Sequence, residues 1–148
     1  ANLANLKDDA LKSIFSSKLS KAIDLGLDIK VEILNPIGLP VSFSSLDFIR
    51  LVSNLLDNAI EAANESEDEQ LLISYFKHDD TYVFILANST KEKTDNIAQL
   101  FQTGVSSKGK DRGVGLAIVK KILSTYPNVR LNTSNQNGLF TQHLEVQE

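Results

Sequence analysis

Cysteine, methionine and tryptophan are all absent from the 148 residues. Without cysteine there is no disulfide, no zinc ribbon, no thiol nucleophile and no cysteine-ligated cluster. Without methionine not even an initiator is represented, and the chain reads as a piece excised or processed from something longer. Long apolar runs are missing too: no stretch approaches the ~18 consecutive apolar residues that span a bilayer. The opening Ala1-Asn2-Leu3-Ala4-Asn5-Leu6 lacks the basic and apolar regions of a signal peptide. The expectation is a soluble, cytoplasmic piece whose parent carries any membrane segments elsewhere. Basic charge is in the minority, with 15 Lys and Arg against 19 Asp and Glu and a net charge of −4. A nucleic-acid-binding domain is usually basic, so that partner class is set aside. Histidine is scarce, with His78 and His143 the only two.

What is present is ordinary for one globular domain. Hydrophobic residues make up 42% and charged residues 23%, enough apolar surface to bury a core rather than stay disordered. No internal repeat or low-complexity segment interrupts the chain. Helical spacing of Leu11, Ile14, Phe15, Leu19 and Ala22 predicts a helix over residues 7–23, stopped by Leu25-Gly26. Alternation of Ile29, Val31 and Ile33 predicts a strand, and Pro36, Gly38 and Pro40 a turn region. Ser44-Ser45-Leu46-Asp47 has the form of a capping box with Asp47 in the usual Glu place. It opens the strongest helix, residues 46–64, with Phe48, Val52, Leu55, Leu56, Ala59 and Ala63 on one face.

Strands over residues 70–76 and 81–86 flank His78-Asp79-Asp80 as a hairpin. Residues 88–112 form a long polar stretch with a helical turn at 97–101. A link of that length in a compact domain reads as a functional lid. A helix over 113–126 stops at Pro127, and strands 129–132 and 139–146 close the chain around an Asn137-Gly138 turn. Helices and strands do not alternate as in a doubly wound sheet. The expected fold class is α/β (α+β), a two-layer sandwich with helices on one face of a mixed sheet.

Two features carry chemistry. In Asn54-Leu55-Leu56-Asp57-Asn58 the asparagines stand at i and i+4, one turn apart on one side. With Phe48 at zero, Asn54 falls at about 240° and Asn58 at about 280°, and the apolar stripe begins near 300°. Asn58 therefore borders the core face, where its amide oxygen suits a hard ion such as Mg²⁺. The plain alternative is a solvated polar face formed by Asn54, Asp57, Asn58 and Glu61. The second feature is Gly113-Val114-Gly115 at the start of an apolar helix, just after Lys108, Lys110 and Arg112. Glycines allow close backbone approach, and the N–H groups of a helix start attract phosphate. Positive side chains there conflict with the helix dipole, a conflict that an anionic ligand removes. The alternative is a glycine-rich loop with scattered surface lysines. Neither a Walker A loop nor a Rossmann fingerprint is present.

Together, in this order and with a lid between them, these features resemble the ATP-binding catalytic domain of sensor histidine kinases. That domain has the Bergerat (GHKL) fold shared with gyrase and MutL. Asn54-Leu55-Leu56-Asp57-Asn58-Ala59 is similar to the family's N box, and Gly113-Val114-Gly115-Leu116-Ala117-Ile118-Val119 to its second glycine box. Leu100 to Lys108 is similar to the F-box region of the lid. The resemblance implies ATP and Mg²⁺ as ligands, with Asn54 and Asn58 catalytic and Asn58 on the metal. It implies that Gly113 and Gly115 let the lid close, that Lys108 and Arg112 contact phosphate, and that Phe101 anchors the lid. Leu116 would wall the pocket. Where the family's first glycine box has Asp followed by glycines, this chain has Asn88-Ser89-Thr90. Asn88 would receive the adenine amino group through its carbonyl oxygen.

The Asn88-Ser89 pair, Ile60-Glu61-Ala62 after the N box, and Lys108-Gly109-Lys110-Asp111-Arg112-Gly113 resemble one branch, the AgrC- and ComD-like peptide-pheromone receptors of quorum sensing. On this resemblance residues 1–28 lead in from a dimerisation and phosphoacceptor domain, and residues 29–148 form the catalytic domain with a lid over about 89–112. Hydrolysing members carry Glu at the place of Asn54, and an amide takes no proton at neutral pH. The expectation is phosphoryl transfer to a protein rather than to water. His78 and His143 fall on strands, so the acceptor histidine is expected on another domain of the same receptor, with a response regulator downstream. Two rivals share the fold: a nucleotide-silent protein-interaction domain, and an anti-sigma-factor type of serine kinase, which usually has Glu in place of Asn54.

Overall fold

The computed structural model describes residues 3–91, 110–136 and 138–148. After a short 3-10 turn (Leu3–Asn5), helix α1 (Asp9–Asp24) begins at Asp8, whose carboxylate accepts from the Leu11 N–H at 2.9 Å. Its end is set by Gly26 at φ 83°, a left-handed turn that glycine takes without strain. There the Gly26 and Leu27 N–H groups bond back to Ile23 and Ala22, the five-to-two and six-to-one pairs, respectively, of a Schellman motif. Strand β1 (Asp28–Glu32) follows, then α2 (Ser45–Glu65), β2 (Gln70–His78) and β3 (Thr81–Ser89). Helix α3 (Lys110–Thr125) and the hairpin of β4 (Val129–Gln136) and β5 (Leu139–Gln147) complete the fold.

One five-stranded sheet runs β1-β2-β3-β5-β4. β1 pairs parallel with β2, and every other pair is antiparallel. The parallel pair needs a crossover, which α2 supplies. The register pairs Tyr75 with Phe84 and Phe84 with Leu144, so these share one face of the sheet. That face meets the helices. Phe84 packs edge-on against Phe15 of α1 with centroids 6.0 Å apart, and Tyr75 lies 6.1 Å from Phe48 of α2. The expected two-layer arrangement is the one observed, with the helices on one face. α1 belongs to the same core through Leu11, Phe15, Leu19 and Ala22, and Lys18 Nζ meets Asp57 Oδ1 on α2 at 2.7 Å.

Several elements run past their sequence-predicted ends. β3 continues through Ala87, Asn88 and Ser89 because both β2 and β5 pair with that segment. β4 reaches Gln136 for the same reason, opposite Leu139. Ladder pairing overrides the polar composition that suggests loops there. α3 starts at Lys110, not at Gly113. The expected turn at 97–101 lies outside the described residues. Ser44 caps α2 as expected, its hydroxyl accepting from the Asp47 N–H at 3.4 Å, but Asp47 does not close the box itself. Its carboxylate accepts from Tyr126 Oη at 2.6 Å.

Two measurements test this packing. The Tyr75 hydroxyl donates to the Gly38 carbonyl at 2.7 Å, so Tyr75→Phe should destabilise the chain by about 1 kcal/mol in denaturant titration. Burial, then the charges of Tyr82, Asp8 and Glu148, push the Tyr75 phenol well above its ordinary 10.0. The Tyr126 phenol is raised by its hydrogen bond to Asp47. A folded pKa above the unfolded one gives stability that is complete below about pH 10 and lost as pH rises beyond it. Tyr75→Phe should therefore flatten the alkaline limb of a stability-versus-pH curve. At the second contact, the Lys18 and Asp57 side chains are 24% and 44% exposed. A double-mutant cycle with Lys18→Ala and Asp57→Ala should return a coupling under ~1 kcal/mol that shrinks with salt.

Candidate functional site

α2 buries Leu51, Leu55, Leu56, Ala59 and Ile60, which leaves Asn54 and Asn58 half-buried at the edge of the apolar stripe. The wheel position deduced from spacing is the observed one. Asn54 uses its Nδ2 to donate to the Arg50 carbonyl one turn back, at 2.8 Å. Among the described residues no hydrogen-bond partner holds the Asn58 amide. Asp57 lies about 100° round the helix from Asn58 and is engaged on the far side by Lys18. The asparagine edge of α2 is thus distinct from the edge that α1 grips.

The end of β3 supplies the next group. Asn88 is 2% exposed. Its register opposite Leu71 and Phe140 puts it on the same face as Phe84 and Leu86, toward the helices. Its Nδ2 donates to the Ser89 carbonyl at 3.0 Å. Ser89 points the other way and fastens this corner. Its hydroxyl meets the hydroxyl of Ser66, the C-cap of α2, at 2.6 Å, and accepts from the Gln70 N–H at 2.8 Å. Ser66 in turn donates to the Ala63 carbonyl at 2.7 Å. The end of the asparagine helix and the end of the Asn88 strand are joined by two serines, so their separation is fixed.

The hairpin continues this polar face. Thr133 and Gln142 stand opposite each other in the same inward series as Leu131 and Leu144, with Thr133 Oγ1 donating to Gln142 Oε1 at 2.5 Å. Gln142 is 7% exposed, and Asn135 is buried one rung further. Polar side chains in inward positions are unusual, because their burial needs partners. Asn88, Gln142, Thr133 and Asn135 give the helix-facing side a polar patch at one end of the sheet. Sequence reasoning missed the last three, although the series Phe140, Gln142, Leu144, Val146 and Val129, Leu131, Thr133, Asn135 carry the signal as polar breaks in an apolar alternation.

α3 packs on α2 through Val119 and Ile122, with Leu116 buried at the head of the same stripe. Gly113 and Gly115 lie within its first turns rather than before it. Gly-Val-Gly is continued as helix once a first turn exists upstream. Arg112 belongs to that helical turn. Of the lid expected over about 89–112, Ser89 belongs instead to β3 and residues 110–112 to α3, because ladder pairing and the helix extend into it, while residues 92–109, Phe101 and Lys108 among them, lie outside the described residues.

Elsewhere the structure separates features from the site. His78 is exposed at the end of β2, 3.6 Å from Asp79, and His143 lies on the outward face of β5, 3.1 Å from Glu145. Neither faces Asn58 or Asn88. A cavity of about 400 Å³ is lined by Gln70, Ser89, Ser134, Leu139 and Thr141 among others. These occupy the outward register, so the cavity is on the reverse of the sheet from the asparagines. Among the described residues no helix is long and apolar enough to cross a membrane.

Known proteins match this arrangement. A family profile described as a GHKL domain covers residues 43–147. Sensor histidine kinase DcuS of Escherichia coli K12 is 30% identical over 145 residues, which are 95% of this chain and 26% of DcuS. Sensor protein CitS of Bacillus subtilis is 29% identical over 119 residues, 78% of this chain and 22% of CitS. The chain thus spans about a quarter of the length of these relatives. Among solved structures, the catalytic domain of histidine kinase ThkA superposes with a TM-score of 0.70 at 20% identity, over 94% of this chain and 90% of that one. Histidine kinase AdeS of Acinetobacter baumannii gives 0.66 at 15%, over 93% and 62%. The fold is that of histidine kinase catalytic domains, and the chain belongs to the GHKL domain family.

Proposed function

We propose that the chain is the catalytic domain of a sensor histidine kinase. It binds Mg²⁺–ATP between α2, α3 and the polar end of the sheet, and donates the γ-phosphate to a histidine on a dimerisation domain outside the chain. The observation that carries this reading is the pairing of two asparagines from different elements. Asn58 offers an unpartnered, half-buried amide, and Asn88 a buried amide aimed at the helix layer. The donor set fits the ligand: Mg²⁺ takes oxygen donors, and an amide carbonyl is one. Bound ATP supplies the phosphoryl group, and Mg²⁺ its charge neutralisation.

The chain's own groups have separable tasks. Asn58 would hold Mg²⁺ by its Oδ1. Asn54 lines the same edge one turn earlier and takes no proton from water, which favours transfer over hydrolysis. Asn88 reads the adenine amino group with its carbonyl oxygen, since its Nδ2 is spent on Ser89. Gly113 and Gly115 let main chain approach the phosphates, while Lys108 and Arg112 add positive charge and Phe101 anchors the lid between β3 and α3. Leu116 walls the pocket. Residues 1–28 connect to the dimerisation domain while α1 packs into the core of residues 29–148, and a response regulator takes the phosphoryl group onward. The parent receptor is membrane-anchored with this domain on the cytoplasmic side.

Two signals are weighed for the parent. The Asn88-Ser89 box and the basic run before Gly113 resemble the peptide-pheromone branch. A relative from Halalkalibacterium halodurans, 23% identical over 126 residues, is named a probable C4-dicarboxylate sensor kinase. Switching of the full-length receptor by a peptide or by a dicarboxylate separates them. The nucleotide-silent reading draws on the same altered box, where Asn88 replaces Asp.

Calorimetric titration with ATP, with and without Mg²⁺, is the test. Asn58→Ala should weaken Mg²⁺-dependent affinity by about ten-fold or more, while stability changes by under ~1 kcal/mol. Unchanged affinity sinks the metal assignment, and no heat at millimolar ATP for the unmutated chain favours the silent domain. Incubated alone with labelled ATP, the chain should gain no phosphohistidine, because neither His78 nor His143 faces the site.

A further inference from the structure

Tyr126 stands just past the end of α3 and reaches the beginning of α2. Its hydroxyl accepts from the Ser44 N–H at 3.3 Å and donates to Asp47 Oδ2 at 2.6 Å. Its ring stacks on Phe43, centroids 4.2 Å apart and planes 26° from parallel. A capping box closes on itself, with the N3 side chain bonding the N-cap N–H. Here a phenol from another helix is inserted between the two. A local cap has become a joint between α2 and α3.

The joint has a consequence for distance. It places the C-terminal end of α3 at the N-terminal end of α2, so the two helices run antiparallel. From Asp47 to Asn58 is eleven residues, and from Tyr126 back to Gly115 is also eleven. At the common helical rise each interval is roughly 16 Å. A joint at positions 47 and 126 therefore brings the Gly115 backbone level with Asn58, and Val119 level with Asn54. Gly113 and Gly115 have no side chains to interlock with α2 at the site end. Register there is shared between the buried Leu116, Val119 and Ile122 and the joint at the far end.

We propose that Tyr126 is a positioning residue for the nucleotide site, its hydroxyl fixing the axial register of α3 against α2 and so the place of the Gly115 backbone opposite Asn58. This rests on the nucleotide-site reading above.

The test uses the 148-residue chain, with Mg²⁺–ATP titrated calorimetrically well below the melting temperature. Tyr126→Phe keeps the ring stack and removes both bonds, and should raise Kd roughly two- to thirty-fold. Asp47→Ala should do the same, and the double variant no more than either alone. Asp47→Asn retains an oxygen that accepts from the phenol and should stay near the parent affinity. An unchanged Kd in Tyr126→Phe, with only a lower melting temperature, reduces the hydroxyl to a stabilising contact and overturns the proposal. Equal loss in Asp47→Asn and Asp47→Ala also overturns it, since charge at the helix start would then be the cause. Register is read independently from the distance between spin labels on Glu61→Cys and Ala117→Cys, in a chain with no other cysteine. Tyr126→Phe should shift or broaden that distance. An unaltered distribution overturns the proposal even in a chain that binds no nucleotide, and a shifted one upholds the joint while the nucleotide reading alone falls.

Discussion

The structure depends on which face of the sheet is covered. Because strand side chains alternate with a period of two, choosing Tyr75 and Phe84 as inward residues settles the orientation of every other residue in their strands. Phe15 from α1 and Phe48 from α2 make that choice by packing on this pair. Asn88 is then inward because it is four residues from Phe84, and Ser89 and His143 are outward. The same parity that builds the core decides which polar groups a ligand on the helix side can reach.

α2 is the element through which the rest communicates. Its apolar face lies on the sheet, its Asp57 edge is held by Lys18, and its Asn58 edge lies about 100° round from that contact. Its beginning is tied to Tyr126 and its end to Ser89 through Ser66. A helix constrained at both ends and on one flank presents its remaining flank with little freedom, which is what a binding edge requires.

Most of this was legible in the sequence. The spacing of Phe48, Val52, Leu55 and Leu56 gave the orientation of α2, and with it the border position of Asn58. The two-residue link between β4 and β5 was marked by Asn137-Gly138. Less legible were features created by contacts distant in sequence. β3 reaches Ser89 only because two neighbours pair with it, and local composition contains no trace of them. α3 begins at Lys110, three residues before Gly113, and composition does not show this because each glycine within a helix costs about 1 kcal/mol against alanine. Ser44 and Asp47 announced a cap, but nothing nearby announced the tyrosine that completes it from 79 residues away. The inward Thr133 and Gln142 stand in the sequence as polar breaks in an apolar alternation.

That polar patch bears on how firmly the domain holds together by itself. Inward positions filled by Asn88, Thr133, Asn135 and Gln142 forgo the apolar burial that leucines would provide at the same places. The empty domain is accordingly less stable than its sheet could make it. Any ligand that covers those groups in the folded state alone adds stability in proportion to the logarithm of its concentration. For such a ligand, occupancy and foldedness rise together.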